Sequence, residues 1–121
     1  PEDIDAAIAV ALKPPLPPAV ISVCEAAQHP YWAQEMLGDG VLRALYPEYE
    51  HLRRQDLPPV YAPNGAIFLN QVLSLLVDRT VTPAGARAYV MPAERSIDID
   101  TPWDFRLADL LMREKHAACA H

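Results

Sequence analysis

Glycine is scarce in this chain, with four in 121 residues. None of the four lies in a run able to wrap a phosphate with backbone amides, so these residues hold no glycine-rich phosphate cradle. Basic charge is also short: ten Lys and Arg stand against sixteen Asp and Glu, for a net charge of −6. That balance argues against nonspecific nucleic-acid binding, which needs a basic surface to release counterions. An acidic protein that handles phosphates must instead rely on a metal ion and a few placed arginines. There are only two cysteines. Cys24 lies in an apolar run and Cys119 near the C-terminus, which makes no disulfide framework and points to a reducing cytosol. No histidine and cysteine spacing suggests zinc. No apolar run approaches the roughly 20 residues that span a bilayer, and no signal peptide is visible. The expectation is a soluble, cytoplasmic protein with neither membrane nor nucleic acid as partner.

What is present is enough apolar material for one domain, 51% of residues, and enough proline to punctuate it. Residues 1 to 12 read as an amphipathic helix with Ile4, Ile8 and Leu12 on one stripe and Glu2, Asp3 and Asp5 in the first turn. The Pro14 to Pro18 run stops it. Ala19 to Val23 reads as a buried strand. Helix, break and strand are half of a βαβ unit whose first strand would precede Pro1, so the chain is expected to be the later part of a larger protein. Residues 34 to 45 form a hairpin pattern around Gly38-Asp39-Gly40. Pro63-Asn64-Gly65 predicts a turn into a strand over residues 66 to 69, followed by a short helix over 71 to 77. A third strand is expected over 88 to 91. Thr101, Pro102 and Asp104 form the start of a capped helix whose stripe is Phe105, Ala108, Leu111 and Met112, ending near Lys115.

The segment Ser96-Ile97-Asp98-Ile99-Asp100 stands directly before that helix. If it is extended, the two-residue period puts Asp98 and Asp100 on one face and turns Ile97 and Ile99 into a core. Two such carboxylates suit Mg²⁺, a hard cation that takes one or two acids, keeps several waters and accepts phosphate oxygens. The bland alternative is a pair of solvated acids at a strand end, and for a bare Asp-x-Asp it is the commoner case.

Four motifs occur in order: His29-Pro30-Tyr31-Trp32, Arg53-Arg54-Gln55-Asp56-Leu57-Pro58, Pro63-Asn64-Gly65-Ala66-Ile67 and Ser96-Ile97-Asp98-Ile99-Asp100. Together they resemble the C-terminal half of the acylneuraminate cytidylyltransferases, over essentially the whole chain. The resemblance implies an α/β, Rossmann-like nucleotide-diphospho-sugar transferase fold with a protruding β-hairpin dimerisation subdomain. Residues 1–121 would be the C-terminal portion of one cytidylyltransferase domain, with 28–60 as the dimerisation excursion and the N-terminal CTP-binding half absent. It implies a homodimer that joins CTP to a nonulosonic, sialic-acid-like sugar, giving the CMP-sugar and pyrophosphate with Mg²⁺ as cofactor. Asp98 and Asp100 would hold the metal, and Asp100 would also position or deprotonate the sugar hydroxyl. Arg54 would reach a neighbouring active site. Arg54, Gln55, Asn64 and Phe68 are the candidate substrate contacts. From local sequence alone Arg53 and Arg54 could equally pair with Glu48 and Glu50, Asn64 could serve only its turn, and His29 could be structural.

Departures from the family pattern fall around the sugar pocket. Ala62 replaces an arginine, Phe68 a tyrosine, Trp32 a lysine, and Val81 and Thr82 a pair of phenylalanines. They imply a different nonulosonic acid, such as a legionaminic-type sugar. Without a phosphate cradle, the chain alone is expected to bind CTP poorly and to be inactive. The alternatives are a noncatalytic dimerisation fragment, in which the acids are vestigial, or a cytidylyltransferase for an eight-carbon acid sugar.

Overall fold

The computed structural model describes residues 2–119. The chain divides into two compact units, residues 1–24 with 63–121, and residues 25–62. The first is a mixed α/β body. Its helix α1 (Glu2–Ala11) leads through the proline run to strand β1 (Ala19–Glu25). β1 is central in a three-stranded sheet, between β4 (Tyr61–Asn70) and β5 (Arg87–Val90). It runs parallel to β5, Val20 opposite Arg87 and Val23 opposite Val90. The run Ala19 to Val23 is buried throughout, as its unbroken apolar, β-branched sequence predicts. A parallel pair linked through helical chain is the arrangement expected of a Rossmann-like sheet.

α1 uses a different face from the one its largest side chains suggest. Ile4, Ile8 and Leu12 are 53%, 40% and 69% exposed, while Ala7 is fully buried. The less exposed positions are Asp3, Ala6, Ala7, Val10 and Ala11, a stripe of helical period. Asp3 sets this rotation, because its carboxylate accepts from Tyr89 Oη at 2.8 Å and pairs with Arg95 Nε at 2.9 Å. Alanines at the contact then let the helix lie close. The strap after α1 is held by Arg87, which donates to the carbonyls of Lys13 and Pro15 at 2.6 and 2.7 Å, and by Gln71 Nε2, which donates to that of Pro17 at 2.9 Å.

Helix α2 (Val72–Asp78) and helix α3 (Pro102–Cys119) complete the first unit. α3 begins as its capping residues predict: Thr101 Oγ1 accepts from Asp104 N–H at 3.3 Å, and Asp104 Oδ2 accepts from Thr101 N–H at 2.8 Å. It runs one turn beyond Lys115. Only part of its expected stripe faces inward. Ala108, Leu111 and Met112 line a cavity of about 530 Å³ with Met91 and Ile97, whereas Phe105 stays 62% exposed.

The second unit holds the hairpin, β2 (Gln34–Met36) antiparallel to β3 (Leu42–Ala44) with Glu35 opposite Arg43. Gly40, at φ 83°, makes its turn. Arg43 Nη2 reaches Glu35 Oε2 at 2.5 Å across the ladder. Tyr31 stacks on Tyr49 with ring centroids 4.1 Å apart and also touches Tyr46 and His29. His29 is 5% exposed. Its Nδ1 accepts from Tyr31 N–H at 3.2 Å, which leaves Nε2 to donate to the Pro58 carbonyl at 3.0 Å. It orders the entry to the hairpin.

Candidate active site

The acidic segment occupies no strand. Residues 96–100 are irregular, Ile97 is half-buried beside the α3 cavity, and Ile99 is 53% exposed. This corrects the expectation of an extended run that sends both isoleucines into a core. The sheet ends at Val90, and a one-turn helix over Ala93–Arg95 redirects the chain before Asp98. Without a ladder, the two-residue alternation has no sheet face to act on.

Side chains fix the segment instead. The expected turn at Pro63-Asn64-Gly65 lies inside β4, where Gly65 takes φ 74°. Such a left-handed residue within a strand marks a local bulge. Asn64 is thereby turned inward, 8% exposed. Its Nδ2 donates to Ser96 Oγ at 2.9 Å and its Oδ1 accepts from Ser22 Oγ at 2.6 Å. Gly65 has Asp98 as its neighbour: a Cβ on Gly65 would lie 3.3 Å from Asp98 Oδ2. Asp98 and Asp100 are both exposed. Among the described residues neither carboxylate has a hydrogen-bond or ion-pair partner. Asp98 and Asp100, solvent-facing with unspent oxygens, are the residues that could hold Mg²⁺, with waters and phosphate oxygens completing its shell. Among the described residues no group of three or more His, Cys, Asp or Glu gathers into an all-protein metal cage.

The other candidate residues lie elsewhere. Phe68 is on β4 and 39% exposed. Gln55 and Arg54 belong to the second unit, in a 3₁₀ turn over Arg54–Asp56. The Arg54 guanidinium is engaged there, donating to the carbonyls of Ala27 at 2.6 Å and Ala26 at 2.9 Å and meeting Glu25 at 3.2 Å. Neither Glu48 nor Glu50 is its partner. Arg53 instead pairs with Asp56 at 3.0 Å. Ser22 and Ser96, bonded through Asn64, have no role assigned by the sequence motifs. Ser22 is a polar residue amid an apolar strand, and that is the signal that marks it.

No protein-family profile matches the chain. Among curated proteins, the N-acylneuraminate cytidylyltransferase of Streptococcus agalactiae serotype V is 35% identical over 86 residues, 71% of this chain and 21% of that protein. The serotype III and serotype Ia enzymes of the same name match with the same identity and coverage. Over that stretch the chain resembles the acylneuraminate cytidylyltransferases in sequence. The matched stretch is about a fifth of the length of those curated relatives. The mixed α/β fold with a parallel strand pair is compatible with a Rossmann-like member of that family. No helix among the described residues is long and apolar enough to cross a membrane.

Proposed function

We propose that this chain is the acid-bearing part of a cytidylyltransferase that joins CTP to a nonulosonic acid sugar, with release of pyrophosphate. The observation that carries this reading is the 35% identity to N-acylneuraminate cytidylyltransferases over 71% of the chain. The unspent carboxylates of Asp98, which lies beside Gly65, and of Asp100 support it. In the reaction the anomeric hydroxyl of the sugar attacks the α-phosphorus of CTP, the bond to the β-phosphate breaks, and pyrophosphate leaves with its electron pair. When bound, Mg²⁺ held by Asp98 and Asp100 would neutralise charge on the phosphate oxygens. Asp100 would orient the sugar hydroxyl and take its proton. Phe68, Arg54 and Gln55 are the proposed substrate contacts, Phe68 giving an apolar wall in place of a hydroxyl. The departures at Trp32, Ala62, Phe68, Val81 and Thr82 favour a legionaminic-type acid over sialic acid. The working form is proposed to be a homodimer.

The test is pyrophosphate release from CTP, in the protein carrying this chain, against a panel of acid sugars. Release should require Mg²⁺, and Asp98→Ala or Asp100→Ala should each lower turnover by about a hundredfold or more while leaving the circular-dichroism spectrum intact. Undiminished, Mg²⁺-dependent turnover in Asp98→Ala would remove that residue from the reaction.

A further inference from the structure

We infer that Ser22, Asn64 and Ser96 form a hydrogen-bonded relay that positions Asp98, so that strand pairing is not what places the acid. The inference rests on the functional reading above only in taking Asp98 as a metal ligand. The relay runs in one direction. Ile67 N–H donates to Ser22 Oγ at 2.7 Å, Ser22 Oγ to Asn64 Oδ1 at 2.6 Å, Asn64 Nδ2 to Ser96 Oγ at 2.9 Å, and Ser96 Oγ to the Pro92 carbonyl at 2.8 Å. Along the relay each hydroxyl accepts one bond and donates one, with the Ile67 carbonyl a second, longer acceptor for Ser22 Oγ at 3.2 Å, and bonds so linked polarise one another.

The relay is anchored in the least exposed part of the first unit, since Ser22 is 0% exposed at the centre of β1. Its far end is Ser96, two residues before Asp98. Asn64 is a double tether. Its side chain grips Ser96, while the left-handed backbone of the next residue, Gly65, offers bare space that Asp98 occupies. Segment 96–100 joins no strand, so these two pins set where the carboxylate stands. Ser22, Asn64 and Ser96 are positioning residues, because their polar atoms are spent inside the protein and the acid faces solvent.

The experiment uses the protein carrying this chain and its Ser96→Ala, Ser96→Thr and Asn64→Asp variants. Amide ¹⁵N relaxation reports the order of residues 97–100, and electron paramagnetic resonance reports binding of Mn²⁺ as a probe. In Ser96→Ala the order parameters at Asp98 and Ile99 should drop from about 0.85 to below about 0.6. Its Mn²⁺ affinity should weaken by about tenfold. Ser96→Thr, which keeps the hydroxyl, should restore both. Asn64→Asp keeps the shape and loses the donor, and should behave as Ser96→Ala does. Unchanged order at Asp98 in a folded Ser96→Ala or Asn64→Asp chain would overturn the inference, as would looser amides with Mn²⁺ affinity equal to wild type. A wild-type chain that binds no Mn²⁺ would instead overturn the metal reading, and the relay would then stand or fall on the order parameters alone.

Discussion

Single residues here carry charge with directional consequences. The Arg95 guanidinium, then the Tyr89 hydroxyl, hold the Asp3 carboxyl below its ordinary value of 3.8, and Asp3 in turn pushes Tyr89 above 10.0. The Thr101 hydroxyl and N–H likewise hold Asp104 below 3.8. A lowered carboxyl contributes stability above its unfolded value and loses it as pH falls through the folded one. A raised phenol contributes below its unfolded value and loses it as pH climbs through the folded one. The Asp3 cluster therefore stabilises fully between about pH 4 and pH 10 and fades outside that window at both ends. Thermal unfolding across pH should show Tyr89→Phe flattening the alkaline limb while keeping an acid limb from Arg95. Arg95→Met should flatten the acid limb most. If the acid limb of Arg95→Met matched wild type, the ion pair would be contributing nothing. Arg54 is the other residue with a defined task, three donations that bind Glu25, Ala26 and Ala27. A lysine has one ammonium and cannot reproduce the fork.

Elements place those residues, and their energetics separate faces that the sequence leaves ambiguous. Ala7 is fully buried on α1, so Ala7→Leu should cost roughly 1 to 3 kcal/mol by overpacking. Ile4→Ala, on the outward face, should stay within about 0.5 kcal/mol. On β1, Val20→Ala should cost roughly 2 to 3 kcal/mol, the transfer of two methyl groups plus a cavity. Ile99→Ala should cost little, since Ile99 is more than half exposed. Urea titrations of the four variants would rank them, and Ile4→Ala costing more than Ala7→Leu would show that α1 packs the other way round. This contrast also marks what could be read in advance. β1, the hairpin and the α3 cap were legible, because each rests on neighbours in sequence: an apolar run, a Gly-Asp-Gly turn, a Thr-x-x-Asp box. The face of α1 was hidden because it is chosen by a tertiary ion pair and by small alanines that carry little hydrophobic signal. The path of residues 96–100 was hidden for a related reason. Its anchors, Ser22 to Asn64 and Asn64 to Ser96, join residues 42 and 32 positions apart. The acids themselves were visible as a motif, but what holds them was not.

At the scale of the whole molecule, large apolar side chains stay uncovered on two helices: Leu73, Leu76 and Val77 on α2 and Trp103 and Phe105 on α3 are all more than 60% exposed. Soluble monomers rarely expose large apolar patches, and a standard interface between two proteins removes about 1,600 Å². The proposed homodimer is one partner that would cover such side chains. Sedimentation velocity should therefore show a concentration-dependent shift from 13 to 27 kDa species, at about micromolar chain if the interface is of standard size and quality. Leu73→Lys and Phe105→Lys test α2 and α3 separately, since a charge at a buried interface position weakens association strongly while at a free surface it changes little. Dissociation caused by one substitution and not the other would assign the interface to that helix. A chain that stays monomeric at about 100 micromolar, a concentration at which an interface of ordinary affinity is saturated, would overturn the homodimer.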